Sequence, residues 1–190
     1  LAYATQTFNN SSTQTTTSST PSTAPSVSSL PNWIIIGDSI CNCLSQNQSR
    51  IFGASRTIGA QGPSSLWKGG VGVDWLKTAL KAFQPQNNVQ SVVISIGTNG
   101  GFSTNDDVFG LMGEVNRVFP KAKKYVVKGT WGWGGNTNKT EVEANLYYNS
   151  FPGVTIINTP LGYFPTDAQA HDCNSAAHQT IAQQIKTLIG

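Results

Sequence analysis

The chain has 190 residues, a formal net charge of +3 and only 11% charged residues. This length fits one domain with a sizeable core plus a tail. Because charged residues usually make up about a quarter of a globular protein, the surface must consist largely of Ser, Thr, Asn, Gln and Gly, a composition common in exported proteins. The basic residues form no stripe, which argues against a nucleic-acid partner. No apolar run approaches the roughly twenty residues of a membrane span.

Residues 1–30 differ in composition from the rest of the chain. Sixteen of these thirty residues are Ser or Thr and none is charged. Such a segment has too little apolar surface to form its own core. We therefore predict an arm or linker at 1–30, followed by a domain at 31–190. Tyr3 and Phe8 could anchor residues 1–8 to an exposed sheet edge, which suggests self-assembly or anchoring through the arm.

Beyond the arm, apolar runs alternate with amphipathic stretches. This pattern predicts strands and helices in turn: strands at 33–36, around 56–59, and at 91–96, 124–128 and 153–157; helices at about 40–48, 73–83, 106–119, 139–150 and 175–189. Alternating strands and helices imply a mostly parallel sheet covered on both faces. The predicted class is α/β: a single three-layer α/β/α domain with a mostly parallel five-stranded sheet, flavodoxin-like in outline.

The turn after the first predicted strand carries a serine that is a candidate nucleophile. Gly37, Asp38 and Ser39 directly follow the apolar run 33–36. Open α/β sheets bind ligands at the carboxyl ends of their strands, and backbone N–H groups at a helix start stabilise an anion. The same three residues are also ordinary turn chemistry, so the motif alone does not establish catalysis.

A second polar turn follows the strand predicted at 91–96. There Gly97, Thr98 and Asn99 occupy the position that the serine turn occupies after the first strand. We expect Asn99 at the same sheet edge as Ser39, where its amide could donate to a developing oxyanion. The alternative is that Asn99 only forms a turn with the following glycine.

A carboxylate and an imidazole lie on one loop before the last predicted helix. Asp167 and His171 are separated by three residues. An aspartate can orient a histidine, and the histidine can accept the proton of a serine hydroxyl.

With these residues in view, the chain resembles the SGNH (GDSL-like) hydrolase family over about residues 31–190. Residues 37–39 match the nucleophile block, 97–99 match the block that supplies the oxyanion asparagine, and 167–171 lie where the family has Asp-x-x-His. Residues 68–76 fall where the family has its oxyanion glycine. The chain looks most similar to the branch of O-acetylesterase and O-acetyltransferase domains.

Two departures from the family pattern, the spacing within the last block and a stretch from His171 to the helix that is one residue longer than usual, leave alternatives open, as does the glycine loop. The last block has three residues between Asp167 and His171, where the family usually has two, so Asp172 and His178 are the other nearby candidates. We favour His171 because the general base should precede the helix. The oxyanion glycine is Gly70 or Gly72, and the spacing to the following helix slightly favours Gly70.

The three cysteines lie close to the matched blocks. Cys41 and Cys43 follow the nucleophile block, and Cys173 follows the candidate base. If the resemblance holds, these loops meet, and Cys173 would form a disulfide with Cys41 or Cys43, which implies an oxidising compartment and leaves one thiol over. The Cys and His residues show no recognised ligand spacing, so we predict no metal and no cofactor.

The resemblance implies a serine esterase that works through an acyl-serine, with Ser39, His171 and Asp167 as the catalytic residues. The expected substrate is an acylated, most simply O-acetylated, carbohydrate or cell-envelope glycan, and the acyl group passes to water or to a sugar hydroxyl. Trp131 and Trp133 could face a sugar ring at the same crevice, or simply pack their loop. A secreted, periplasmic or cell-surface location would follow.

The alternative function is a catalytically silent binding or structural module that kept this fold in a surface assembly or filament.

Overall fold

The computed structural model describes residues 30–52, 58–99, 105–127, 151–157 and 167–189. Four strands lie in this part of the chain: β1 (Trp33–Gly37), β2 (Ser91–Ser95), β3 (Lys123–Val127) and β4 (Val154–Ile157). The helices are α1 (Ile40–Phe52), α2 (Val73–Lys81), α3 (Asn105–Val118), α4 (Asp167–Ala170) and α5 (Ala176–Ile189), with a 3₁₀ turn at Pro63–Ser65. The helix predicted at 139–150 lies outside the described residues.

All strand pairs in the sheet are parallel, and the strands lie side by side in the order β1-β2-β3-β4. Their carboxyl ends therefore meet at one edge, where Gly37 of β1 is paired with Ser95 of β2. Strands that alternate with helices along the chain and pair in parallel confirm the predicted α/β class.

The predicted fifth strand is not observed as such. Residues 53–57 lie outside the described part, and Ile58 and Gly59 are not in a strand. The position beside β1 is taken instead by residues 66–68, where the Gly37 N–H donates to the Leu66 carbonyl (2.9 Å) and the Lys68 N–H donates to the Gly37 carbonyl (3.1 Å). Leu66 has a left-handed backbone with φ of 59°, which an extended strand cannot include, so the pairing stops at one bridge.

Two apolar layers cover the sheet because successive strand residues point to opposite faces. On one face Ile34, Ile36, Val92 and Ile94 pack with buried residues of α2 and α3. On the other face Trp33, Ile35, Val93 and Tyr125 pack with α1 and α5. This arrangement is the predicted three-layer sandwich. Within the described residues, no helix is long and apolar enough to cross a membrane.

The chain enters the domain at the amino end of the sheet. Two side chains from the loop between α2 and β2 hold the Leu30 backbone there: Gln86 Oε1 accepts from the Leu30 N–H (3.2 Å), and Asn88 Nδ2 donates to the Leu30 carbonyl. β1 then spans about 17 Å at the usual rise per residue. Leu30 and Ser39 therefore lie at opposite ends of the sheet.

Candidate active site

The serine turn is fixed by backbone packing. Gly37 ends β1 with φ of +142°, and a Cβ at this position would overlap the carbonyl oxygen of Ser95. Only glycine meets both demands. The next N–H, that of Asp38, donates to the same Ser95 carbonyl (3.0 Å), and Ser39 then stands half-buried directly before α1.

Asp38 is a buried carboxyl group beneath this turn. Its Oδ1 accepts a hydrogen bond from the Ile40 N–H (3.0 Å), which satisfies one of the open donors at the start of α1. Burial raises the pKa of Asp38 from 3.8 to about 7, against the opposing effects of hydrogen bonds from Ile40 and Thr98 and of the nearby His171. The carboxyl group is therefore poised to change its charge near neutral pH.

His171 lies within hydrogen-bond distance of the serine. His171 directly follows α4 and is exposed. Its Nε2 lies 2.9 Å from Ser39 Oγ, although the two residues are 132 positions apart in the sequence. At this distance a neutral imidazole with an unprotonated Nε2 accepts the hydroxyl proton. The structure thus brings together the two residues singled out as nucleophile and base.

The histidine loop is joined to α1 by a disulfide and by one side chain. Cys173 is bonded to Cys43. Cys41 is a buried free thiol, and burial raises its pKa well above the ordinary value. Beside the disulfide, Asn47 Nδ2 donates both to the Cys43 carbonyl (2.9 Å) and to the Cys173 carbonyl (2.7 Å).

His178, the alternative base, is fully buried in the first turns of α5. Its Nε2 lies 2.6 Å from the carbonyl oxygen of Ala170. A carbonyl oxygen only accepts, so Nε2 carries the proton. Burial also lowers the pKa of His178, against the raising effects of the hydrogen bond to Ala170 and of the charge of Asp172, and the proximity of His171 adds to the lowering. This ring is neutral and engaged with the backbone, whereas the ring of His171 meets the serine.

Asn99 and the glycine loop lie next to each other at the same edge. Asn99 Nδ2 donates to the carbonyl of Val71 (3.1 Å), which stands between the two candidate oxyanion glycines. Gly70 has φ of +75°, and Gly72 caps the start of α2 with an extended backbone.

Two residues of this region were not foreseen from the sequence. A Cβ built on Gly69 would lie 3.9 Å from the Cβ of Ser39, so the glycine packs beside the serine. Gln61 Oε1 accepts from the Gly69 N–H at 3.0 Å. The three glycines at 69, 70 and 72 were a signal for a close approach, but nothing in the sequence connects Gln61 to them.

Three predicted site residues are not placed. Trp131 and Trp133 lie outside the described residues. Asp167 is described only as the first residue of α4, and its side chain lies outside the description as well. In the described part of the chain, no group of three His, Cys, Asp or Glu side chains is arranged to hold a metal ion.

Comparison with known proteins shows what the chain resembles. No protein-family model matches it, and no curated protein matches it in sequence. Among solved structures, a Streptococcus pneumoniae protein assigned as a platelet activating factor is 17% identical with a TM-score of 0.55, and the match covers 84% of each chain. The C-terminal catalytic domain of peptidoglycan O-acetyltransferase A from Streptococcus pneumoniae, solved with a methylsulfonyl adduct, is 15% identical with a TM-score of 0.53, covering 82% of this chain and 90% of that one.

At these identities the similarity is one of fold, and it agrees with the resemblance drawn from residues 37–39, 97–99 and 167–171. With its parallel sheet between two helical layers, the chain has the three-layer α/β/α fold of the SGNH hydrolases.

Proposed function

We propose that this protein is a serine esterase or acyltransferase that acts on O-acyl groups, most simply O-acetyl groups, of a carbohydrate or cell-envelope glycan. The observation that carries the proposal is the 2.9 Å distance between Ser39 Oγ and His171 Nε2 at the carboxyl edge of the sheet. A hydroxyl becomes a nucleophile when an adjacent base takes its proton, and hydrogen-bond reach is the geometric requirement for that transfer.

In the proposed reaction, Ser39 Oγ attacks the ester carbonyl carbon while His171 Nε2 takes the hydroxyl proton. The tetrahedral intermediate collapses, the bond to the alkoxide leaving group breaks, and His171 returns the proton to that oxygen. Water, or a sugar hydroxyl, then attacks the acyl-serine with His171 acting again as the base. Hydrolysis releases a carboxylic acid, whereas transfer forms a new ester.

We assign the oxyanion site to the Ser39 N–H, the N–H of Gly70 or Gly72, and the side-chain amide of Asn99. One amide hydrogen of Asn99 is directed at the Val71 carbonyl. That bond fixes the plane of the amide, and the second hydrogen is the one we assign to the oxyanion. Donors held in place before the reaction need no reorganisation as the charge develops, which is why they lower the barrier.

Asp167 is the proposed partner of His171, although its spacing from the histidine is one residue longer than usual. Position 167 begins a helical turn, α4, that ends at Ala170. Positions three apart and four apart both fall on one face of a helix. If the helical turn continues to position 171, residues 167 and 171 therefore fall on the same face, as residues with the usual spacing would.

The proposed substrate class is supported by the fold neighbour that is a peptidoglycan O-acetyltransferase and by the two tryptophans at 131 and 133. The Cys43–Cys173 disulfide supports a location outside a reducing cytosol, in a secreted, periplasmic or cell-surface setting.

Covalent labelling tests the proposal. We would treat the full chain with a fluorophosphonate and with methylsulfonyl fluoride, and identify the modified residue by peptide mass spectrometry. We expect labelling at Ser39, none in Ser39→Ala, and a rate lower by about four orders of magnitude in His171→Ala. Ser64→Ala, which removes an exposed serine of the nearby 3₁₀ turn, is the matched control and should label normally.

Hydrolysis and transfer are separated by offering an O-acetylated glycan with and without a second glycan acceptor, and measuring free acetate against acetylated acceptor. A folded protein that neither labels nor deacetylates would reject the esterase in favour of a silent module that binds or assembles.

A further inference from the structure

We infer that His178 is a positioning residue for His171: its ring holds the peptide group that leads into His171 and so aims the base at Ser39. This inference rests on the proposed function, because it assigns a second histidine to the same site. His178 makes no contact with the serine turn among the hydrogen bonds described above. It acts instead on the peptide unit that joins Ala170 to His171, and His171 is the residue that contacts Ser39.

The first step is the contact itself. Nε2 of His178 donates to the carbonyl oxygen of Ala170 at 2.6 Å, and both groups are buried. The carbonyl of residue 170 and the N–H of residue 171 belong to one planar peptide unit. Fixing that oxygen therefore fixes the plane from which the Cα of His171 extends.

The second step is the need for such a contact. His171 is exposed and belongs to no strand or long helix, and α4 before it has only four residues. A helix of one turn is not stable alone. The direction of the imidazole must then come from contacts of the loop with the rest of the domain.

The third step is that His178 itself belongs to a helix that is well packed against the core. It lies on α5, whose buried residues Ile181, Ala182 and Ile185 pack into the core, and its own N–H donates to Ser175 Oγ (3.3 Å) at the start of that helix. Burial lowers its pKa, so the ring stays neutral at pH 7 and keeps one fixed hydrogen-bond donor.

The loop is held a second time on the far side of His171. There Cys173 is tied to α1 through its disulfide and through Asn47. The histidine is thus bracketed by two anchors, one residue before it and two residues after it. Removing the His178 anchor should shift the loop without releasing it, so the effect falls on geometry more than on folding.

The test uses two substitutions of nearly equal shape. His178→Gln keeps an N–H donor on a side chain of similar reach, whereas His178→Met has almost the same length without a donor. We expect His178→Met to lower kcat for p-nitrophenyl acetate about 100-fold, the cost of misplacing a catalytic group by roughly an ångström. KM should change less than twofold, and His178→Gln should recover at least tenfold of the loss.

Ile185→Ala is the control for a purely structural role. It leaves a cavity seven residues further along the same helix without removing the donor to the Ala170 carbonyl, and it should retain wild-type kcat at a temperature well below its melting point. Equal kcat in His178→Met and wild type, equal losses in the Met and Gln variants, or an equal loss in Ile185→Ala would each overturn the inference. If His178→Met does not fold, His178→Phe serves as the donor-free variant.

A failure of the proposed function can be distinguished from a failure of this inference. If the wild-type protein neither labels nor hydrolyses, that function is wrong, and a crystal structure of His178→Met still decides the positioning role. We expect the distance from His171 Nε2 to Ser39 Oγ to lengthen from 2.9 Å to beyond hydrogen-bond reach. An unchanged distance would refute the inference whether or not the protein is an enzyme.

Discussion

The two sides of the candidate site are held in place by different means. On the serine side, Gly37 packs against the carbonyl of Ser95, and main-chain hydrogen bonds join the strand end to both neighbours. On the histidine side, side chains fix the loop: a disulfide, Asn47 and His178. The position of Ser39, the proposed nucleophile, therefore follows from the sheet, whereas the position of His171, the proposed base, depends on a few replaceable side chains. Changes to the serine side should affect mainly folding, whereas changes to the histidine side should also affect the chemistry.

The largest expected effect is on the serine side. Gly37→Ala adds a Cβ that overlaps the Ser95 carbonyl, at a φ of +142° that L-residues avoid. Overpacking and backbone strain together should lower the free energy of unfolding by about 3–5 kcal/mol, measured by urea denaturation. Gly153→Ala is the control, because its φ is +77° but nothing lies within 4 Å of the added Cβ; we expect about 1 kcal/mol. Equal losses in the two variants would contradict the close packing at Gly37.

The next effect concerns the histidine side. Removing the Cys43–Cys173 disulfide, which spans 130 residues, should lower the free energy of unfolding by about 2–4 kcal/mol. The double variant Cys43→Ser/Cys173→Ser should also label more slowly at Ser39, because on that side of His171 the loop then keeps only the hydrogen bond from Asn47. Dithiothreitol should reproduce this slowing in the wild type and leave the double variant unaffected. A labelling rate unchanged by both treatments would show that the disulfide does not hold the base in place.

A smaller effect is the pH dependence that Asp38 imposes on stability. Its pKa is about 7 in the folded protein against an ordinary 3.8, so between about pH 4 and 7 the folded chain keeps a proton that the unfolded chain has lost. The free energy of unfolding must then fall as pH rises through this window. His178 acts oppositely, since its lowered pKa makes unfolding take up a proton below about pH 6.5.

Comparing Asp38→Asn with the wild type isolates the Asp38 contribution. The asparagine side chain retains an oxygen that can accept from the Ile40 N–H, but it has no acidic group. The free energy of unfolding of this variant should therefore lack the decline with rising pH, of a few kcal/mol at most, that Asp38 causes in the wild type. The measurement is urea unfolding from pH 4 to 8. Parallel curves for the two proteins would mean that Asp38 is not buried as a neutral acid.

The smallest expected effect tests the loop beside the serine. Gln61→Ala removes the acceptor for the Gly69 N–H. An exposed hydrogen bond contributes about 1 kcal/mol or less, so stability should barely change while the labelling rate at Ser39 falls a few-fold. Gln84→Ala, an exposed glutamine at the opposite end of the sheet, is the matched control. The same rates in both variants would leave Gln61 without a role in shaping the site.

The contrast between the serine side, held by the sheet, and the histidine side, held by side chains, also explains which features could be predicted from the sequence. The four observed strands and the Ser39 turn were predicted because apolar β-branched runs and a following glycine are local signals. The fifth strand predicted around 56–59 was not confirmed, because Ile58 and Gly59 are not in a strand and the bridge beside β1 comes from residues 66–68, which begin at the left-handed backbone of Leu66. Nor did any local pattern distinguish Cys43 from Cys41 as the disulfide partner, or assign His178 and Gln61 their contacts. The disulfide joins residues 130 positions apart, and the contacts of His178 and Gln61 each span eight residues of irregular chain, so neither kind of contact follows a helix or strand period.

The pinned backbone of Leu30 has a practical consequence. Because Gln86 and Asn88 hold it at the amino end of the sheet, anything joined directly before Leu30 is attached at the end of the sheet opposite Ser39. A bead, fluorescent protein or cell surface joined there leaves the edge that carries the proposed active site facing outward. A polymeric substrate too large to diffuse could then be reached without the attachment standing in its way.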